Sequence, residues 1–126
     1  MRIGLLIVII ALLLSVMTAR ADKPTVIKDS EATRYVGKEV EVRGPVVSVT
    51  TSPLGTTFIS FGREYPRQTF AGFISAGSRI ATDRRLTMIQ GKIISLTGTI
   101  QLRDGKPEIE IVSADQIKVL DSQTER

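Results

Sequence analysis

The residues most able to do chemistry lie in one short segment. Arg63, Tyr65, Arg67 and Gln68 fall within Arg63–Gln68, two cations set around a ring and followed by an amide. Single-stranded nucleic acid is bound by such a combination, cations meeting phosphates and flat rings stacking on bases. Tyr65-Pro66 is equally good turn chemistry, with the ring packed on the proline and Glu64 pairing with either arginine. A secondary basic patch, Arg79, Arg84 and Arg85, adds phosphate contacts on one reading. On the other it is a solvated face with Asp83 as partner. Glu39/Glu41 and Glu108/Glu110 are carboxylate pairs at i,i+2, each pair on one face of a strand. Glycosidases use two carboxylates, one of them raised in pKa by an apolar pocket. Here each pair alternates with aliphatic residues, which places it on a solvated outer face beside Lys38, Arg43 or Lys106.

Composition closes most other chemistry. The 126 residues contain no Cys and no His, so thiolate and Ser-His-Asp catalysis are excluded, along with nearly every zinc site. A calcium loop of the D-x-D-x-D-G type is missing. Gly37-Lys38 and Gly91-Lys92 lack the flanking pattern of a phosphate-binding loop. The expectation is a protein with no catalytic residues, no cofactor and no metal, and not an enzyme.

The first residues read as a leader. Met1-Arg2 carries a positive charge, Ile3–Val16 is a nearly unbroken apolar run, and Ala19-Arg20-Ala21 fits the small-residue cleavage pattern of a secretory signal peptide. Residues 1–21 are expected to be removed after Ala21, leaving a periplasmic or secreted protein. The alternative is a retained membrane anchor, although the run is shorter than the ~20 apolar residues that span a bilayer. With Arg2 and Arg20 removed, 15 of the 17 basic residues remain against 13 acidic ones, a net charge of +2. Such a balance does not by itself imply a nucleic-acid partner.

Residues 22–126 are expected to form one domain, with its core over roughly 30–120. Asp29 and Ser30 can cap a short helix over 31–35 that ends at Gly37. Residues 38–43 and 46–50 alternate in polarity like one half-buried strand, bent at Gly44-Pro45. Further strands are expected over 56–61, 68–74, 92–102 and 107–112, with a short last strand at 117–120. A modest helix over 78–88 joins the third strand to the fourth, and Asp104-Gly105 suits a type I′ hairpin turn. Residues 37–46 and 91–100 share the pattern G-K-x-apolar-x-apolar-x-G-x-apolar, each strand placing a glycine where it must bend, as a small closed barrel requires. The expected core is Val40, Val42, Val47, Val49, Phe58, Phe73, Ile94, Leu96, Ile100, Ile109, Ile111 and Ile117.

This order is all-β: a five-stranded OB-fold Greek-key barrel, with one short helix before the first strand and one between strands three and four. The stretches G-T-T-F-I-S-F-G (55–62), Y-P-R-Q-T-F (65–70), G-K-I-I-S-L-T-G-T-I (91–100) and G-K-P-E-I-E-I (105–111) resemble small exported bacterial OB-fold domains. They are similar to nucleic-acid-binding OB domains of the tRNA anticodon-binding type. The resemblance implies a binding module with single-stranded nucleic acid as partner. An envelope protein, peptide or glycan on the same face is the alternative partner. Ala71-Gly72 in the third strand offers little side chain for a binding face, and the 75–90 connection matches no known pattern.

Overall fold

The computed structural model describes residues 23–120. The expected leader over 1–21 and the polar tail over 121–126 lie outside the described residues. Seven strands follow in order: β1 (Thr25–Lys28), β2 (Glu39–Thr51), β3 (Thr57–Phe61), β4 (Phe70–Ile74), β5 (Ile93–Arg103), β6 (Lys106–Glu110) and β7 (Ile117–Val119). β2 and β5, of 13 and 11 residues, are long because each serves two partners within one ring and a third outside it. The first half of β2 pairs antiparallel with β5, from Glu39↔Thr99 to Pro45↔Ile93. Its second half pairs with β3, from Val46↔Phe61 to Thr51↔Thr57. β3 continues antiparallel to β4, β4 lies parallel to β6, and β6 returns antiparallel to the second half of β5. The five pairings therefore form a ring. β1 adds in parallel outside β2, and β7 adds antiparallel outside β5.

The two expected bends are places of close approach. A Cβ on Gly98 would sit 2.6 Å from Ile109 Cγ2, and one on Gly44 would sit 2.6 Å from the Asp29 carboxylate and 3.0 Å from the Phe61 ring. No larger side chain fits there without displacing its neighbours. The hairpin turn also forms as expected, with Asp104 at φ 53° and Gly105 at φ 78°.

Inside the ring lies one apolar cluster that includes Val40, Val42, Val46, Ile59, Phe61, Phe70, Ile74, Ile94, Leu96, Ile100, Ile109 and Ile111. Phe61 and Phe70 meet edge to face, with centroids 5.2 Å apart, a preferred aromatic geometry. Ile80, Leu86 and Ile89 from the β4–β5 connection close one part of the cluster.

Several expectations are corrected. There are seven described strands rather than five ring strands plus one. β1 forms because Thr25-Val26-Ile27 is β-branched and Ile27 is buried at its centre. The helix before the ring is a 3-10 segment, Asp29–Tyr35. Its N-terminal reach-back comes from Glu31, which accepts from the Lys28 N–H at 2.9 Å; the Asp29 side chain is engaged elsewhere. Between β4 and β5 there is not one helix but two 3-10 turns, Arg79–Thr82 and Arg84–Thr87. In the core, an irregularity between Val46 and Ser48 turns Val46 inward and leaves Val47 half-buried. In β3 the inward residues are Ile59 and Phe61, so Phe58 faces outward; Phe73 shares that outer face but is buried there, as expected of it.

Candidate functional site

The site is built on the outer face of β3, β4 and β6. Strand register sets Thr50, Phe58, Phe73 and Glu110 in one cross-strand row and Ser48, Ser60, Ala71 and Glu108 in the next. The loop between β3 and β4, residues 62–69, folds back over this face. It brings Tyr65 onto Phe58 as a stacked pair, centroids 5.4 Å apart and planes 30° from parallel. The Tyr65-Pro66 peptide is cis. From the strand beyond β6, Arg103 at the end of β5 lays its guanidinium 4.9 Å from the Phe73 centroid and 5.9 Å from that of Phe58. A guanidinium over a ring within ~6 Å is attracted by the ring quadrupole.

Both ends of the 62–69 loop are pinned. The Thr69 hydroxyl donates to Asp29, and the Thr69 N–H donates to the Phe61 carbonyl at 3.0 Å. Gly62 opens the loop at φ 77° with Thr69 against its bare Cα, and the Arg67 N–H donates to the Glu64 carbonyl at 2.8 Å. Asp29, expected as a helix cap, is thus the post to which the loop is tied.

Two recesses flank the Phe58–Tyr65 pair. A cleft of about 180 Å³ is lined by Phe58, Tyr65, Pro66, Gln68, Arg103, Asp104, Lys106 and Glu108. On the other side a groove of about 370 Å³ runs along Thr50, Thr51, Ser52, Leu54 and Thr56. Arg63 and Arg67 stand exposed on the outer surface of the loop.

The polar atoms beneath this face are unusual. Ser48 Oγ, Ser60 Oγ, Gln68 Oε1 and Glu108 Oε1 are buried without a hydrogen-bond partner among the described residues. Three belong to a single cross-strand row, and Gln68, only 3% exposed, belongs to the loop above it. A buried polar group left unpaired costs ~1–3 kcal/mol, so their gathering on one face marks a place built for something other than packing. The nearest cation to the Glu108 carboxylate is Arg103, 4.0 Å away. Burial pushes the Glu108 pKa up; Arg103 opposes that shift and the Asp104 charge adds to it.

The structure brings two of the four sequence candidates to the cleft, Tyr65 and Gln68; Arg67 lies past Pro66 on the outer concavity of the loop. Arg63 lies on the outer concavity of the same loop with Arg67. Glu108 corrects the reading of its pair: Glu108 is buried, while Glu110 is exposed and accepts from the Ser75 hydroxyl at 3.3 Å. Of the other pair, Glu41 binds Arg43 at 2.7 Å. Sequence reasoning missed Phe58, Phe73, Arg103 and Glu108 as site residues. The one available signal was the Asp-Gly hairpin, because that turn and the loop after the first ring strand flank an OB binding face.

The second basic patch has a different character. Arg85 holds Asp83 through its guanidinium at 3.1 Å and its backbone N–H at 2.9 Å. The Arg85 guanidinium keeps the Asp83 carboxyl below the usual range. The aromatic pairs among the described residues lie elsewhere, on the outer face of β3 and in the core. Among the described residues there is also no group of three or more His, Cys, Asp or Glu able to hold a metal ion.

No family model and no curated protein matches this chain. Solved structures do. OBody AM1L10, bound to hen egg-white lysozyme, matches with a TM-score of 0.57 at 17% identity, over 82% of this chain and 100% of the OBody. RecG bound to a three-way DNA junction matches with a TM-score of 0.52 at 18% identity, over 83% of this chain and 14% of RecG. Aspartyl-tRNA synthetase from Entamoeba histolytica matches with a TM-score of 0.52 at 16% identity, over 76% of this chain. This chain spans only 21% of that synthetase. At such identities the likeness speaks to the fold alone: the ring of β2, β3, β4, β6 and β5 is an OB-fold.

Proposed function

We propose that this chain is a non-enzymatic binding module for single-stranded nucleic acid, exported by the leader that residues 1–21 spell out. The observation that carries the reading is the cleft beside the Phe58–Tyr65 pair. It combines a ring wall, a guanidinium, and two buried acceptors that no hydrogen bond from the described residues reaches. A stacked base supplies what each lacks. Its face lies on the rings, and its amino group donates to Glu108, as a carboxylate accepts from the exocyclic amine of cytosine. At about 180 Å³ the cleft is smaller than the ~300–1,000 Å³ pockets that hold drug-sized ligands, and so suits a single ring. Lys106 at the cleft and Arg63 and Arg67 on the loop serve the phosphates. OB-folds hold their ligands on the face of the second and third ring strands, here β3 and β4, which supports the same reading. So do the solved structures with RecG on a DNA junction and aspartyl-tRNA synthetase.

Fluorescence anisotropy with labelled oligodeoxycytidine and oligothymidine tests this at ~50 mM salt, where phosphate contacts are strong. Binding that favours oligodeoxycytidine, and loses that preference in Glu108→Gln, is the expected result. Absence of binding to either oligomer would remove the nucleic-acid reading. An envelope protein, peptide or glycan would then be the partner to seek on this face, as the lysozyme-bound OBody scaffolds show an OB-fold holding a protein.

A further inference from the structure

We infer that this face seats two consecutive nucleotides, one on each side of the Phe58–Tyr65–Arg103 wall; the inference rests on the nucleic-acid reading and adds a second subsite to it. Phe58, Tyr65 and Arg103 line both the cleft and the groove, so the two recesses are back-to-back compartments with a shared partition. Their chemistry differs. The cleft offers buried acceptors, Glu108 and Gln68, suited to reading a base edge. The groove offers hydroxyls from Thr50, Thr51, Ser52 and Thr56 instead, with Leu54 as an exposed lip. Hydroxyls facing a groove bind sugar and phosphate oxygens without reading sequence.

The groove wall is ordered before any ligand arrives. Across the β2–β3 turn the Ser52 N–H donates to the Thr56 carbonyl at 2.8 Å. The Thr56 N–H also donates to the Ser52 hydroxyl at 3.2 Å. Thr51 and Thr57 join their hydroxyls at 3.1 Å. Thr50 stands directly opposite Phe58 in the strand pairing. A strand leaving the cleft over the partition therefore meets a formed surface, continuous with the first subsite and carrying Arg103 at its edge. One nucleotide in the cleft leaves the outer part of the partition and the whole groove unused; the next nucleotide of the same strand fills both.

The test is a length series on the wild-type chain by isothermal titration: deoxycytidine monophosphate, the deoxycytidine dinucleotide and the trinucleotide. Adding the second unit should tighten binding by at least about tenfold, a gain of the size that a hydrogen bond to a charged phosphate brings. The third unit should add less. In Thr50→Val with Thr56→Val, the dinucleotide should fall toward the mononucleotide affinity, while mononucleotide binding stays unchanged and so certifies the fold. Equal mononucleotide and dinucleotide affinities would overturn the second subsite and leave the binding module standing. So would a dinucleotide gain that survives the double substitution. If none of the three binds, and the longer oligomers also fail, the module and the subsite fall together.

Discussion

The two faces of β3 and β4 behave as different materials. Inward, Ile59, Phe61, Phe70 and Ile74 are fully buried, and glycine is the only residue thin enough for several close approaches. Outward, β3 carries the half-buried Phe58 under Tyr65 and the Ser60 hydroxyl, unpaired among the described residues like its neighbour Ser48 on β2. The inner face satisfies every demand locally and is stable for that reason. The outer face leaves hydrogen-bonding capacity and π-surface unspent, which is how a binding face differs from a core. The comparison also separates two arginine groups. Arg103 lies over the Phe58 and Phe73 rings, and Arg63 and Arg67 stand exposed on the loop that carries Tyr65, whereas Arg85 is occupied by Asp83. Charge alone does not make a site; charge beside an unfinished surface does.

Changes to the inner face should cost folding. Gly98→Val drives a Cβ into Ile109, and Gly44→Val drives one against Asp29 and Phe61. Each should lose ~1–3 kcal/mol of stability in urea melts, the usual cost of overpacking. The outer-strand change Glu39→Gln, at an exposed position, should stay within ~0.5 kcal/mol. Equal small losses in all three would erase the distinction between the faces.

Changes to the outer face should cost binding. Phe58→Ala should weaken oligonucleotide binding by ~1–3 kcal/mol with the salt slope unchanged, because stacking releases no counterions. Arg63→Ala with Arg67→Ala should do the converse, flattening the slope of log K against log salt by up to ~1.4, at ~0.7 per phosphate contact on single strands. Arg84→Ala should leave affinity and slope nearly unchanged, and an effect equal to that of the loop arginines would unite the two arginine groups.

The smallest effect concerns pH. Glu108 binds its proton more tightly in the folded protein than in the unfolded chain, because burial raises its pKa above the ordinary 4.5. Between 4.5 and that raised value the folded state holds the extra proton, so stability falls as pH rises through this window. Glu108→Gln removes the titrating group. The variant's stability, followed by urea melts from pH 4 to 7, should decline less steeply with rising pH than that of the wild type. Parallel curves would mean that Glu108 is solvated, against its burial beneath the loop.

The strands and bends were legible because they rest on local rules. The alternation Val40-Val42 and Ile94-Leu96, the Asp104-Gly105 turn and the glycines at 44 and 98 each carry their own physical reason. Tyr65 and Arg67 were legible as a candidate because ring and cation are adjacent in the chain. Phe58 was not, because T-F-I-S-F offers apolar residues at both parities, and a one-residue shift exchanges the two faces of a strand. Glu108 was not, because alternation with Ile109 and Ile111 marks a face as outer without showing that another loop covers it.

The sequence by itself determined a mostly β fold, the order of its five ring strands, the points where they bend and a short list of cations. Those follow from backbone sterics and from polarity at a period of two. Only the tertiary structure decided which residues meet. The β2 irregularity turned Val46 rather than Val47 inward, and the ring closure brought Glu108 under a loop forty residues earlier in the chain. A tie from Asp29 to Thr69 then held that loop over Phe58. These are long-range contacts whose partners are distant in the chain, so no local pattern encodes them.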